Sequence, residues 1–361
     1  MIIMRKGATQ EEITNVVAEI KKHGLGTDVS TGEIRTVIGI IGDETRISAT
    51  HLETFSGVKE VRLIETPYKL INREYSALFD GKTESRTINA GNVVIGTDRP
   101  VYMAGPCAIE DREQLMQIAA QVKAAGADIL RGGVYKPRTS VHSFQGLGSD
   151  RKTAEEALTW LREAGDKYDM PVITEIRGES HVELVKEYAD ILQIGSRNMY
   201  DQDLLTAAAG TGKPILLKRH FGASIEEFLS FAEYIAASGN KDIILCERGI
   251  VPVGKGKSFT RYTLDLQAVP VVQKETYLPI VVDPSHAAGR RDLIMTMSMA
   301  AIASGASGLE IEVHYNAREA RCDGQQMITP DELARLIEGC NQIHNTMAPF
   351  KNNDRAERCT N

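Results

Sequence analysis

From Val101 onward the sequence follows one repeating pattern, and that pattern restricts the fold more than any other feature. Short apolar segments at 101–104, 128–131, 171–176, 191–194, 215–218, 243–246, 280–282 and 308–313 alternate with amphipathic stretches, among them 112–125, 154–168, 225–238 and 291–304. Short apolar runs suit strands buried on both faces, and the longer stretches with a 3.6-residue period suit helices. Strands that alternate with helices build a parallel sheet with right-handed crossovers. Eight such units predict a closed (β/α)8 barrel rather than an open sheet. The sixth and seventh units are the least regular, because 251–272 shows no helical pattern before 264–268.

Residues 1–66 form a separate pattern. Met1–Met4 reads as a short strand. A helix over 9–23 follows, with Thr9 as its cap, Ile13, Val16, Val17 and Ile20 on one face, and Gly24 at its end. Further strands are expected near 27–30, at 36–41 and at 58–64, with a helix at 47–55. The order βαββαβ is that of a ferredoxin-like α+β unit. The domains expected are therefore that unit at 1–66, a polar linker at 67–86, a barrel at 87–350 entered through a hairpin, and a polar, mobile tail at 351–361.

A formal charge of −7 gives no general reason to bind nucleic acid or an anionic membrane. No apolar run is long enough to span a bilayer, and the first residues do not read as a signal peptide. The five cysteines are scattered and odd in number, which fits a reducing cytoplasm better than a disulfide framework. An acidic chain that handles anions has to gather its cations locally.

Barrel active sites lie at the C-terminal ends of the strands. One set of residues there is cationic: Arg131, Lys136, Arg138, Arg197, Lys218 and Arg248. Like charges at the ends of apolar strands are expensive to desolvate unless anions meet them. Arg binds phosphate and carboxylate through paired hydrogen bonds, and Lys acts as a point charge. This many cations predict two phosphorylated substrates or a bisphosphate. The second set is Cys107, His286, Glu312 and Asp323. A thiolate, an imidazole and two carboxylates suit a divalent transition metal, whether Mn, Fe, Co or Zn. No CxxC or HExxH spacing marks them. Their support is position, since strands one, seven and eight become neighbours when a barrel closes.

Each residue also has a plainer reading. A Cys after a Gly-Pro turn is usually a small buried residue, and a lone His is usually a hydrogen-bonded core residue. The basic residues could form a solvated rim paired with Glu175 and Glu247. That reading suits Arg219, Arg290 and Arg291 better than Arg131 and Lys218, which extend apolar strands directly.

The segments that hold these residues resemble the 3-deoxy-D-arabino-heptulosonate 7-phosphate (DAHP) synthases, in the type I beta group related to octulosonate phosphate synthases. The matching stretches are AGPCAIE (104–110), LRGGVYKPRTS (130–140), SFQGLG (143–148), QIGSRN (193–198), LLKR (216–219), ILCERG (244–249), VVDPSHAAGRRD (281–292), IEVH (311–314) and CDGQQ (322–326). The likeness spans nearly the whole chain. It implies an aldol-type transferase that condenses phosphoenolpyruvate, erythrose 4-phosphate and water to DAHP and phosphate, opening the shikimate route to aromatic amino acids. It implies Cys107, His286, Glu312 and Asp323 as metal ligands, and Arg131, Lys136, Arg197, Lys218 and Arg248 around phosphoenolpyruvate. It places Lys136, Arg138 and Thr139 at erythrose 4-phosphate, with Lys136, Cys107 and His286 as the catalytic groups. The N-terminal unit resembles the ACT-like regulatory domain of such enzymes. That likeness implies feedback by tyrosine or phenylalanine, an effector loop at 28–32 that includes Asp28 and Ser30, and a cytoplasmic homotetramer.

Three alternatives stay open on the sequence. An octulosonate phosphate synthase would use arabinose 5-phosphate, but that family typically has an Asn-Arg-Ser-type segment where this chain has Lys136-Pro137-Arg138-Thr139. A Schiff-base aldolase could use Lys218 if Arg219 depressed its pKa. A non-catalytic amino-acid sensor could retain a relic barrel. The chain departs from the family pattern at His220, where Gly is usual, at Ala287-Ala288, in the loop 251–257, and at 150–153, which reads as an insertion.

Overall fold

The structure is a computed structural model that describes residues 1–31, 36–62, 66–73, 85–136, 142–252 and 259–358, the side chains of 351–358 excepted. The chain divides into two compact units: Met1–Glu84 with Glu275–Tyr277, and Ser85–Lys274 with Leu278–Asn361.

The first unit carries β1 (Ile2–Met4), α1 (Gln10–Lys22), β2 (Gly26–Thr31), β3 (Thr36–Ile41), α2 (Ala49–Glu53) and β4 (Val58–Val61). Its sheet runs β2-β3-β1-β4 with every pairing antiparallel, the ferredoxin-like arrangement. Thr9 caps α1 in a full capping box with Glu12. Ile13, Val16 and Ile20 pack from α1 onto Ile2, Met4, Ile38 and Ile40 of the sheet. The second helix is shorter than the expected 47–55, because Ile47 and Ser48 are extended and the helix begins only at Ala49. Asp28 and Ser30 lie on β2, an edge strand, opposite Gly39 and Val37.

The second unit opens with the hairpin β5 (Ile88–Ala90) and β6 (Val93–Ile95). Eight parallel strands follow: β7 (Val101–Gly105), β8 (Ile129–Arg131), β9 (Val172–Ile176), β10 (Ile191–Ile194), β11 (Ile215–Lys218), β12 (Ile243–Glu247), β13 (Ile280–Val282) and β14 (Gly308–Glu312). They close into a barrel when β14 pairs with β7. The fold is therefore the expected (β/α)8 barrel with a small N-terminal α+β unit. Ile88, Ala90 and Ile95 of the hairpin join Val101, Met103, Ile129, Ile173, Ile191, Leu216, Ile244 and Val281 in one core, so the hairpin packs against the barrel's apolar interior.

Caps explain where several helices begin. Asp111, Asp201 and Ser224 each accept a backbone N–H from the first turn of the helix that follows. Asp150 does the same for Arg151–Lys167, so 150–153 forms the N-cap and first turn of that helix. The helix beyond the irregular sixth unit is Ala268–Glu275. The last helix, Pro330–Arg358, extends into the polar stretch expected to be a tail. Among the described residues no helix is long and apolar enough to cross a membrane.

Gly105, at the tip of β7, shows how tightly the barrel end is built. A Cβ there would sit 2.0 Å from the carbonyl oxygen of Arg131, a backbone atom that cannot rotate away. Gly105→Ala should therefore destabilise the fold by about 1–3 kcal/mol, as overpacked sites do. Gly210→Ala, at the end of the helix Gln202–Gly210 with nothing within 4 Å of the new methyl, should be neutral or stabilising by up to about 1 kcal/mol. Urea unfolding of the two variants against the parent chain checks both.

Candidate active site

Residues two apart on a strand share a face. Glu310 on β14 meets the cations at the ends of both β8 and β11, and Glu312 meets that of β8. Arg131 Nη1 donates to Glu312 Oε1 at 2.9 Å, and its Nε lies 3.2 Å from Glu310 Oε1. Lys218 Nζ lies 2.9 Å from Glu310 Oε2 and donates to Asp283 Oδ2 at 2.5 Å. His286 Nδ1 is 2.7 Å from that same Asp283 oxygen, and its Nε2 is 3.4 Å from Glu312 Oε1. Gln326 Nε2 donates to Glu312 Oε2 at 2.6 Å. The Glu310 contacts are ion pairs without aligned hydrogen bonds. Only His286, with a side chain 16% exposed, reaches solvent; the others are buried.

This network sets the protonation of its members. Burial alone would lower the Lys218 pKa, but Asp283 and Glu310 outweigh it and keep the amine charged, above the usual lysine range. Arg219 does not act on it in the way a Schiff-base role needs, because it pairs instead with Glu247 and Asp265. The geometry thus opposes a Lys218 nucleophile, which needs a depressed pKa. Burial pushes the Glu312 carboxyl up, yet His286 and Arg131 bring it well below the usual range.

Beside the network stands a cluster of metal-type donors. His286, Glu312 and Asp323 offer ligand atoms within 4.8 Å of one another, and so do Cys107, Cys322 and Asp323. Asp323 is common to both groups, so all four expected ligands meet at one place. Asp323 is one of two described non-glycine residues with a positive φ, at 50°. Asp283 orients the His286 ring through Nδ1 and leaves Nε2 toward the cluster, the usual support for a ligating imidazole. Burial, then contact with Cys322, pushes the Cys107 thiol up; a cation is what such a thiol needs in order to ionise. These side chains fit a divalent metal. The sulfur of Cys322 lies 3.0 Å from that of Cys107, so Cys322 also belongs to the site.

The remaining cations separate by environment. Lys136 is buried, with Nζ donating to the carbonyl of Cys107 at 3.2 Å. Arg248 is 5% exposed, its guanidinium lies 4.4 Å from the Tyr262 ring centre, and its buried Nη1 has no hydrogen-bond partner. A buried donor without a partner calls for an explanation, and a ligand is one. Arg197 is exposed on the 3-10 turn Ser196–Asn198 beyond β10. Arg138 and Thr139 lie outside the described residues. Arg290 and Arg291 form exposed pairs with Asp292 and Glu332, as the plain reading has it. Arg219 does not fit that reading. It does pair with Glu247, but it is 4% exposed and no part of a solvated rim.

Sequence reasoning missed Glu310, Gln326 and the neighbourhood of Cys322. The i, i+2 spacing of Glu310 and Glu312 in an apolar strand was a usable signal for the first. Gln326 ends the 3-10 turn Gly324–Gln326 and lies in the stretch CDGQQ, but no spacing ties it to Glu312.

Comparison with known proteins follows this geometry. The model of the DAHP synthetase I family matches residues 77–348, and that of the DAHP synthase ferredoxin-like domain matches residues 1–66. A phospho-2-dehydro-3-deoxyheptonate aldolase from Thermotoga maritima is 47% identical over 338 residues, covering 94% of this chain and 96% of that protein. A 2-dehydro-3-deoxyphosphooctonate aldolase from Syntrophobacter fumaroxidans is 30% identical over 69% of this chain and 89% of its own length. Among solved structures, a Thermotoga maritima DAHP synthase superposes with a TM-score of 0.73 at 45% identity, covering 96% of this chain and 97% of that one. With a family model spanning the barrel and a relative matched over nearly its whole length, the chain belongs to the DAHP synthetase I family.

Proposed function

We propose that this chain condenses phosphoenolpyruvate with erythrose 4-phosphate and water to give DAHP and inorganic phosphate. The observation that carries this reading is the buried, unpartnered donor of Arg248 at the barrel end that also holds the Cys107–His286–Glu312–Asp323 cluster. The name and near-complete coverage of the Thermotoga relative support it.

Charge balance assigns the roles. Arg131 and Lys218 are already opposed by Glu310, Glu312 and Asp283, so they add shape and orientation more than net charge. The surplus lies with Arg248 and Lys136, and the resemblance adds Arg197. Arg248 and Arg197 take the phosphate of phosphoenolpyruvate, while Arg131, Lys136 and Lys218 flank the rest of it. Arg138 and Thr139 receive the phosphate end of the aldehyde. A metal held by Cys107, His286, Glu312 and Asp323 would supply a Lewis acid for the aldehyde carbonyl. Carbon 3 of phosphoenolpyruvate bonds to the aldehyde carbon, water adds at carbon 2, and the bond from carbon 2 to the phosphate oxygen breaks. Lys136 is held protonated: burial opposes this, but Cys107 and its neighbours outweigh burial. In this reading it hands a proton to the developing alkoxide. Fixing both substrates removes much of the entropy barrier.

The exposed edge strand that carries Asp28 and Ser30, in a unit matched by the ferredoxin-like domain model, supports the regulatory part of the reading. Tyrosine or phenylalanine binds there and inhibits a cytoplasmic homotetramer.

Phosphoenolpyruvate consumption with erythrose 4-phosphate should stop after chelation and return with Mn, Fe, Co or Zn. Undiminished turnover in fully chelated protein would sink the metal assignment. Arg248→Ala should raise the KM for phosphoenolpyruvate about 10- to 100-fold, the size of one charge-assisted contact; an unchanged KM contradicts the phosphate role. Adding tyrosine or phenylalanine to the same assay should lower the rate, and Ser30→Ala should weaken that inhibition without altering the uninhibited rate.

A further inference from the structure

Arg219 is the cation that the proposed mechanism leaves unused, and it is as deeply buried as those it uses. It follows Lys218 and, by strand alternation, faces away from the barrel interior. Its donors are committed to protein groups. Nη1 reaches Glu247 Oε2 at 2.9 Å and Asp265 Oδ2 at 2.8 Å, and Nε donates to the carbonyl of Ala223 at 3.0 Å. It is therefore not a substrate contact.

What it holds is backbone. Its own carbonyl accepts from Ser196 Oγ at 2.8 Å, and Ser196 is the residue before Arg197. Glu247, the residue before Arg248, uses its second oxygen to accept the N–H of Gly249 at 2.6 Å and that of Asp265 at 3.4 Å. Ile250 and Thr263 exchange backbone hydrogen bonds at 2.9 Å, which keeps Tyr262 against the Arg248 guanidinium. At Gly249, with φ of +94°, a Cβ would meet Tyr262 Cβ at 2.7 Å. One guanidinium and two carboxylates thus tie the turn that carries Arg248 to the segment that carries Tyr262, while the backbone carbonyl of the same arginine holds the turn that carries Arg197.

We propose that Arg219, Glu247 and Asp265 are positioning residues for the phosphate end of phosphoenolpyruvate, their side chains fixing the turn that presents Arg248 while the Arg219 carbonyl holds the turn that presents Arg197. This rests on the assignment of those two arginines given above. A misplacement of about 1 Å in such a turn is enough to weaken binding or rate by about a hundredfold. Burial pushes the Glu247 carboxyl up and Arg219 pulls it back, so either partner left alone is an uncompensated buried group.

The test uses the full chain and four variants: Glu247→Gln, Asp265→Asn, Arg219→Lys, and the charge-free pair Arg219→Met with Glu247→Gln. The pair guards against variants that fail to fold, since it leaves neither of these two buried charges without the other. Folding is checked by thermal melting, phosphoenolpyruvate affinity by calorimetry, and KM and kcat by steady-state assay. In every variant that melts cooperatively, the affinity for phosphoenolpyruvate should fall about tenfold or more, with kcat and the KM for erythrose 4-phosphate within about threefold of the parent. Folded variants that bind phosphoenolpyruvate as the parent does would overturn the proposal. So would a fall in kcat and in both affinities together, the mark of general damage. A parent protein that binds no phosphoenolpyruvate at all would overturn both this proposal and the assignment of Arg248.

Discussion

Everything at the working end of this barrel depends on how it accommodates a buried net of opposite charges. Arg131 and Lys218 end two apolar strands, and in isolation their desolvation would be prohibitive. Glu310 sits between them, with Glu312 and Asp283 on either flank. Such a net contributes little to stability compared with a well-packed apolar core, and breaking it on one side is costly. Its value is orientation. It brings His286 to face Glu312 and fixes Arg131 and Lys218 in place.

The barrel makes this economical. Parallel strands bring Glu310, Lys218 and Arg131 inward from three different strands at the same level, without any local sequence motif. Outward-facing neighbours then do a second job. Lys218 faces in and Arg219 faces out, Arg248 turns toward the site, and Glu247 pairs behind it. Consecutive residues of KR and ER thus serve the site's contents and its frame separately. The glycines at the same end serve the frame by absence of a side chain, as Gly105 does against the Arg131 carbonyl.

Much of this could be read from the chain. The barrel followed from hydrophobic alternation alone, and the ferredoxin-like unit from its element order and the Thr9 cap. The residues beyond strands one, seven and eight met as expected, because barrel closure makes those strands neighbours. What could not be read is instructive. Arg219 looked like rim, since sequence shows that a residue is charged but not that two carboxylates from distant segments will enclose it. Gln326 gave no spacing signal because it meets Glu312 from a 3-10 turn beyond the last barrel strand, not from a shared strand or helix face. No spacing marks Cys322 as a partner of Cys107, yet their sulfurs stand 3.0 Å apart.

The central claim concerns which phosphorylated aldehyde meets phosphoenolpyruvate at this site, since relatives of both the heptulosonate and the octulosonate type match the barrel. The most direct measurement offers metal-loaded protein phosphoenolpyruvate together with equal amounts of erythrose 4-phosphate and arabinose 5-phosphate, and determines the product by mass. The account predicts the seven-carbon phosphate alone, with one inorganic phosphate released per product. An eight-carbon product, or phosphate released without carbon–carbon bond formation, would contradict it.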